Sequence, residues 1–305
     1  MKNRSAILAL SVAGILWGLT VALSKLSLRW LDPSWLAVLR FAVASPLMAY
    51  IGRRGLREAL APGVFAAGAL GFGAVLLLQN IGIAHTSVSH AAILVGALPV
   101  VVALISVGAR DGTAPPLAWV GYGVALVGVV LVAKGGGGGA TVSGDMLVLG
   151  SVLLAALFIA MQPRVLRGRN VASVTAVEFA SGATVALPVA LLTGLPHAPA
   201  SPGPVLVFLA LALPGTILPF WLFAYGQARV SAALAGVFVN LEPLVGGVVG
   251  WVAFSDPFGV WQLLGAVAVI GGVALSLVPG GWPTRMVLAR RQHGVGRILA
   301  ARNRP

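Results

Sequence analysis

Long apolar stretches follow one another along almost the whole chain, separated by short polar segments. Each is close to the ~20 residues that a helix needs to cross a ~30 Å hydrocarbon core. The stretches are continuous rather than alternating, and backbone groups in lipid must pair internally, so the pattern favours helices over a barrel. We therefore predict ten transmembrane helices, called spans one to ten: 5–24, 35–51, 63–84, 86–107, 115–133, 146–162, 172–193, 204–226, 230–253 and 258–279.

The two halves of the chain resemble each other. Residues 79–133 align with residues 223–277 without a gap, with twelve identities in 55 positions that include the pair Pro99 and Pro243. The repeated unit holds an odd number of spans, so its second copy must be inserted upside down. The predicted fold is an all-α integral membrane protein, built from ten transmembrane helices as two inverted five-helix repeats.

Four segments organise this predicted fold. The first repeat covers 1–134 and the second covers 145–280, and a glycine-rich linker at 135–144 joins them. A basic tail occupies 281–305. Its arginines either contact anionic lipid headgroups or flank the last span as solvated charges, and the sequence leaves both interpretations open.

Composition and charge exclude several classes of protein. The chain is 59% hydrophobic and 9% charged, against about 25% charged in an ordinary globular domain. If the N-terminus is cytoplasmic, 16 of the 20 basic residues lie on the cytoplasmic side, so we expect both termini inside a bacterial cytoplasmic membrane. This topology explains the net charge of +13, and nucleic acid is not expected as a partner.

Neither an enzyme nor a cofactor site is predicted. The chain has no cysteine, which excludes disulfides, and its histidines lack metal-ligand spacing. The run of five glycines at 135–139 lacks the following Lys-Ser/Thr of a phosphate loop. Transport by such a chain would therefore run on gradients or exchange.

Glu242 is the leading candidate among polar residues inside the spans. A charge at a helix centre costs about 2.5–3.5 kcal/mol on the insertion scale, which makes such residues functional candidates. Glu242 lies about 18 Å along span nine, near the midplane where transporter sites occur. Pro243 frees a backbone carbonyl, and with Asn240 this turn could bind a cation, an amine or a proton. The alternative is a protonated Glu242 that bonds to a neighbouring helix.

Arg40 in span two and Glu178 in span seven occupy equivalent places in the two repeats. Arg40 could hold a substrate carboxylate, and Glu178 could relay a proton. Alternatively, each anchors its helix by snorkelling or by pairing with neighbouring polar groups. His90 lies one turn inside span four and titrates in a range that suits a proton-coupled carrier, although a hydrogen-bonded interfacial histidine is an equal alternative.

The remaining candidates are neutral. The amides Gln79, Asn80 and Gln162 either bind substrate or bridge helices, and Trp17 and Tyr225 could stack on a substrate. Proline in corresponding helices of two repeats points to a binding site. Pro99 and Pro243 are therefore predicted hinges, with spans four and nine facing each other across a central cavity.

Several motifs together resemble the drug/metabolite transporter superfamily, and within it the EamA-like family. The resemblance rests on GILWG at 14–18, LRF at 39–41, LEPL at 241–244, the segment from Gly82 to Val100 and the glycine-rich helix from Gly265 to Gly272. The family usually places a glutamate at the exits of spans four and nine. Here these places read ARD at 109–111 and FSD at 254–256, so Asp256 is the residue that could substitute.

The resemblance implies export or exchange of small metabolites, amino acids or drugs. We expect proton-coupled export by alternating access, with Glu242 as the coupling residue and Glu178 as the second choice. Uptake or pure exchange is the alternative within transport, and a lipid scramblase or a non-transporting accessory protein is the alternative outside it. Small-molecule substrate, protons and membrane lipids are the expected partners, and a homodimer is left open.

Overall fold

The structure, a computed structural model, describes residues 2–108, 116–135, 139–199, 201–230, 235, 238–239, 241–256 and 259–276. Asn240, the tail 281–305 and the linker residues 136–138 lie outside the described residues. Every predicted span contains a helix. Within the described ranges, seven helical segments are long and apolar enough to cross a membrane, and the apolar helices of spans five, nine and ten are shorter. The chain is a multi-pass membrane protein.

The helices of the first half begin and end as follows: Lys2–Ser27 is span one, Pro33–Ile51 span two, Pro62–Gly68 with Val75–Ala84 span three, Val88–Val95 with Leu98–Gly108 span four, and Pro116–Gly135 span five. Two short elements, Arg53–Gly55 and Leu56–Ala59, connect spans two and three. The second half contains Val142–Val165 as span six, Val171–Leu192 as span seven, Pro202–Ala212 with Pro214–Gln227 as span eight, Leu241–Phe254 as span nine and Val260–Ser276 as span ten.

Polar residues mark where several helices begin. The side chains of Ser87, Thr141 and Asn170 each accept a hydrogen bond from the backbone N–H three residues ahead, at 3.1 to 3.2 Å. The first N–H groups of a helix have no intrahelical partner, so these N-caps fix the starts of spans four, six and seven.

Among the described residues, spans three, four and eight depart from a continuous α-helix. Span four breaks at Gly96 and Ala97, where Pro99 lacks the N–H that would continue the ladder to Val95. Span eight breaks at Leu213, whose φ of −93° and ψ of −85° lie outside the helical region, just before Pro214. Span three contains the π-helical segment Ala69–Ala74. Such irregular backbone inside a membrane is typical where protein or a cavity covers it.

Helices of the two halves interleave rather than forming separate bundles. The most extensive contacts join span one to spans eight and nine, span six to spans three and four, span seven to spans two and three, span four to span nine and span five to span ten. Small residues permit the closest approaches. A Cβ added to Gly128 in span five would lie 2.6 Å from the carbonyl oxygen of Gly265 in span ten.

Phenylalanine rings fill the centre of the molecule. Phe72 in span three has ring-centroid distances of 4.8 to 5.4 Å to Phe41, Phe158, Phe179 and Phe220. These five rings come from spans two, three, six, seven and eight, and most pairs meet edge to face, a favourable arrangement. The aromatic cluster therefore joins both halves and forms part of the wall of the central cavity.

Candidate functional site

A cavity lies between spans one, two, three, four, six, eight and nine. It contains about 790 Å³ of space not occupied by atoms, a figure that includes space open to the outside. Four of the residues predicted from the sequence line it: Trp17, Arg40, Gln79 and Glu242. The cavity is otherwise mainly apolar, so these polar groups determine what it can recognise.

Arg40 is held in place by the break in span eight. Its side chain is 3% exposed, and its Nε donates a hydrogen bond of 2.6 Å to Oγ1 of Thr216. The same hydroxyl donates to the carbonyl oxygen of Leu211 at 2.7 Å, near the end of Pro202–Ala212, where carbonyls lack intrahelical partners. The guanidinium carbon also lies 5.8 Å from the ring centroids of Phe41 and Phe220. Arg40 is therefore a positioned cation with aromatic faces beside it.

Glu242 supplies a carboxylate to the same cavity. It is 6% exposed and lies in the first turn of Leu241–Phe254. Span one packs directly against this turn, because a Cβ added to Gly18 would lie 2.8 Å from the carbonyl oxygen of Glu242. Arg40 and Glu242 line the same space, but no nitrogen–oxygen pair between these two described residues comes within the 4.0 Å of an ion pair. The cavity thus presents a cation and a carboxylate that do not neutralise each other by direct contact.

Aromatic residues form one wall of the cavity. The Trp17 ring lies 5.2 Å from Phe220 and 4.7 Å from Phe223, both edge to face. Trp17 Nε1 is buried and has no hydrogen-bond partner among the described residues. A buried N–H without an acceptor is costly, so this donor is available to a bound molecule or to water.

Glu178 lies outside the cavity lining. It is fully buried, and its Oε2 accepts a hydrogen bond of 3.1 Å from Nε2 of Gln162 in span six. The other oxygens, Oε1 of Glu178 and Oε1 of Gln162, have no hydrogen-bond partner in the described part of the chain. Span three packs closely here, since a Cβ on Gly68 would lie 2.6 Å from the carbonyl oxygen of Glu178. This pair joins spans six and seven away from the Arg40–Glu242 space.

The other predicted candidates lie elsewhere in the fold. Asn80 is buried and donates from Nδ2 to the carbonyl oxygen of Pro33 at 3.1 Å, which ties span three to span two. Tyr225 lies under the guanidinium of Arg229, 3.5 Å from the ring centroid. His90 faces Asp145 rather than the cavity. None of these three is part of the described cavity lining.

The predicted hinge Pro99 coincides with irregular backbone. Pro99 follows the break of span four, and Pro243 follows Glu242 at the start of the described helix of span nine. Val95 and Leu98 of span four and Val239 of span nine line the cavity together with Glu242. Spans four and nine therefore meet at the cavity and also pack against each other directly.

Sequence reasoning missed two polar residues that the fold makes important. Thr216 follows Pro214 by two residues, and a hydroxyl beside a proline break is a signal that could have identified it. Asp145 directly precedes the apolar stretch of span six, where an acidic residue is usually interpreted as favouring a helix N-terminus. Its contact with His90 depends on tertiary structure and has no local sequence signal.

Comparison with known proteins identifies relatives over almost the whole chain. The model of the EamA-like transporter family matches residues 4–134 and again 142–278. An uncharacterized transporter of Archaeoglobus fulgidus is 27% identical over 284 residues, covering 90% of this chain and 98% of the relative. The uncharacterized transporter YyaM of Bacillus subtilis is 26% identical over 287 residues, covering 90% and 93%. A solved crystal structure shares the fold with a TM-score of 0.70 at 20% identity, covering 95% of this chain and 99% of that chain.

Proposed function

Because the chain belongs to the EamA-like transporter family, we propose that it is a secondary active transporter that exports a small metabolite, amino acid or drug in exchange for protons. The observation that carries the proposal is the central cavity, which Arg40 and Glu242 share without forming an ion pair. A substrate between them would meet one charge of each sign.

The arrangement of the helices supports alternating access by two inverted repeats. The two repeats can be compared by exchanging each span for its counterpart five positions away. The contact between spans one and eight then corresponds to the contact between spans six and three. The contact between spans one and nine corresponds to the contact between spans six and four. The pairs two–seven, four–nine and five–ten are unchanged by this exchange, whereas the pair three–seven becomes the pair eight–two, which is in less extensive contact. A contact pattern with most of this symmetry is expected when two copies of one unit pack around a pseudo-two-fold axis, and inverted repeats place that axis in the membrane plane. Rocking of one copy against the other would expose the cavity to each side in turn.

The polar groups of the cavity favour a substrate with an anionic group and an organic body. A guanidinium presents a planar fork that fits a carboxylate or phosphate, and Thr216 already fixes its orientation. The rings of Trp17, Phe220 and Phe223 offer apolar contact, and Trp17 Nε1 offers a further donor. An amine on the same substrate would have Glu242 as its partner.

Glu242 is the proposed coupling residue. A carboxyl group in a water-poor cavity is costly to ionise unless a cation compensates it. A proton and a substrate amine could each provide that compensation, so the two would compete for Glu242. Competition of this kind gives each ligand a different affinity in the two access states, which is what a coupled carrier requires.

The experiment is transport into proteoliposomes that contain the purified protein, with a panel of amino acids, organic acids and drugs. Wild type, Glu242→Gln and Glu58→Gln are compared with and without a proton gradient. Glu58 is exposed in the connection between spans two and three, so its variant controls for loss of a carboxylate elsewhere. We expect gradient-driven accumulation in wild type and Glu58→Gln. In Glu242→Gln we expect the accumulation to be reduced at least about tenfold, which corresponds to ~1.4 kcal/mol.

Other outcomes select the alternatives. Accumulation that ignores both the gradient and the Glu242 substitution would identify an exchanger or facilitator and would make Glu242 a structural residue. Movement of labelled lipid without competition from soluble compounds would identify a scramblase.

A further inference from the structure

A second cluster of ionisable side chains lies apart from the central cavity, where span three ends and span four begins. Asp145, in the first turn of span six, is 2% exposed. Its Oδ1 accepts a hydrogen bond of 2.6 Å from Oγ1 of Thr86, and its Oδ2 lies 3.2 Å from Nδ1 of His90. His90 is also 2% exposed. The pair thus joins span four of the first half to span six of the second half in an environment shielded from water.

The two ring nitrogens of His90 have different surroundings. A carboxylate only accepts hydrogen bonds, so the contact with Asp145 places a proton on Nδ1. Nε2 is buried and has no hydrogen-bond partner among the described residues. In the neutral ring with its proton on Nδ1, Nε2 is a bare lone pair that can take up a proton. A proton on Nε2 would give an imidazolium that forms an ion pair with Asp145.

Neighbouring charges are engaged in other contacts. From span one, Lys25 Nζ donates to the carbonyl oxygens of Ile83 and Thr86, both at 2.7 Å. After span nine, Asp256 Oδ2 accepts a hydrogen bond of 2.8 Å from the backbone N–H of Ser89. Lys25 thus binds the end of span three, and Asp256 binds the start of span four. The carboxylate of Asp145 is the charged group in contact with His90.

The other packed elements add little charge near the pair. The end of span three carries His85, which is exposed, and span five carries Lys134, whose Nζ lies 4.7 Å from the ring centroid of Trp261. Span nine carries Glu242 in the central cavity. The described residues 260–276 of span ten contain no ionisable side chain.

We propose that His90 and Asp145, with Thr86, form a proton-binding site of their own, separate from the central cavity. The ring nitrogen Nε2 takes the proton, and Asp145 and the hydroxyl of Thr86 orient the ring and compensate its charge. The role of this site in coupling rests on the proposed function, but proton binding does not. Protonation would strengthen the tie between span six and Val88–Val95, the part of span four that precedes its break.

Proton binding can be tested without transport, by histidine nuclear magnetic resonance of the purified protein in detergent. The protein is labelled with ¹⁵N-histidine, and His90→Gln identifies the signal of His90 among the four histidines of the chain. At about pH 8 we expect a proton on Nδ1 and a bare Nε2, and on acidification to about pH 5.5 we expect Nε2 to gain a proton, because the carboxylate of Asp145 lies 3.2 Å from Nδ1 and can pair with the imidazolium. A ring that stays neutral to about pH 5, or one that carries its neutral-state proton on Nε2, overturns the proposal.

A thermal measurement tests the contribution of Asp145. The proposed imidazolium–carboxylate pair would exist in the folded protein and not in the unfolded chain, so acidification should add a stabilisation that His90→Gln lacks. We expect the Tm advantage of wild type over His90→Gln to be at least about 2 °C larger at pH 5.5 than at pH 8. Asp145→Asn should lose the same pH-dependent increment.

His85→Gln is the matched control, because His85 is exposed and lies in the same connection. It should keep the pH-dependent increment of wild type. Equal pH dependence of Tm in wild type and His90→Gln would contradict the proposal whatever the transport assays show. Neither measurement involves a substrate, so failure of this site can be told apart from failure of the proposed function.

Discussion

Arg40 differs from a simple positive charge because its guanidinium is oriented before any ligand binds. Oγ1 of Thr216 accepts a hydrogen bond from Nε of Arg40. Among the described residues, the terminal nitrogens of the guanidinium are therefore the donors left for a ligand. Lysine keeps the charge and loses the planar fork. We predict that Arg40→Lys weakens binding of an anionic substrate about tenfold, or ~1.4 kcal/mol, and that Arg40→Met weakens it further.

Ligand-induced thermal stabilisation of the purified variants measures this effect. Arg229→Lys is the control, because Arg229 lies on the Tyr225 ring and outside the cavity lining. Unchanged binding by Arg40→Met would show that the guanidinium holds spans two and eight together rather than holding substrate.

The sequence marks Arg40 and Glu242 as candidate functional residues because a charge inside an apolar stretch is costly and conspicuous. It could not separate these residues from Glu178 and His90, which are equally conspicuous but face neighbouring helices. Distance along a span follows from counting residues. The direction in which a side chain points depends on how helices pack, and continuous apolar runs carry little information about it.

At the scale of single helices, span one packs closely against span nine, and this contact predicts how a substitution of Gly18 affects stability. A Cβ added to Gly18 would lie 2.5 Å from Cβ of Val245 and 2.9 Å from the backbone nitrogen of Gly246. Backbone cannot move aside as a flexible side chain can. We predict that Gly18→Ala destabilises the fold by about 1–3 kcal/mol, measured as a lower Tm in detergent.

Gly123→Ala provides the matched control in a helix of similar character. Apart from its own helix, no described residue has a heavy atom within 4 Å of a Cβ placed there, so Gly123→Ala should not destabilise the fold, and the higher helix propensity of alanine favours it by up to about 1 kcal/mol. Equal Tm values for the two variants would indicate that spans one and nine separate more easily than their contact suggests.

Helix existence was predictable from apolar length, and helix ends were predictable where a cap or a proline signals them. The break of span four precedes Pro99, as the missing N–H requires. The π-helical segment Ala69–Ala74 has no such signal. It packs against spans six and seven, and these contacts cannot be read from the local sequence.

At the scale of the whole molecule, the proposed inversion of the two halves predicts the side of the membrane on which each connection lies. The connection between spans two and three contains Glu58, and the equivalent connection between spans seven and eight contains Ala198; both residues are exposed. In an inverted repeat, equivalent connections lie on opposite sides of the membrane. Because the chain has no cysteine, a thiol reagent labels this chain only at a single introduced cysteine.

We therefore predict that Ala198→Cys reacts with a membrane-impermeant maleimide on intact cells, while Glu58→Cys reacts only after the membrane is permeabilised. The direction follows from the concentration of basic residues on the side that contains Glu58, which the positive-inside rule assigns to the cytoplasm. Reaction of both thiols from the same side would mean that the halves are parallel, and alternating access by exchange of inverted repeats would have to be abandoned. Reversed sidedness would keep the inversion and move both termini outside. The comparison thus separates the symmetry of the fold from its orientation, which the charge pattern alone cannot do.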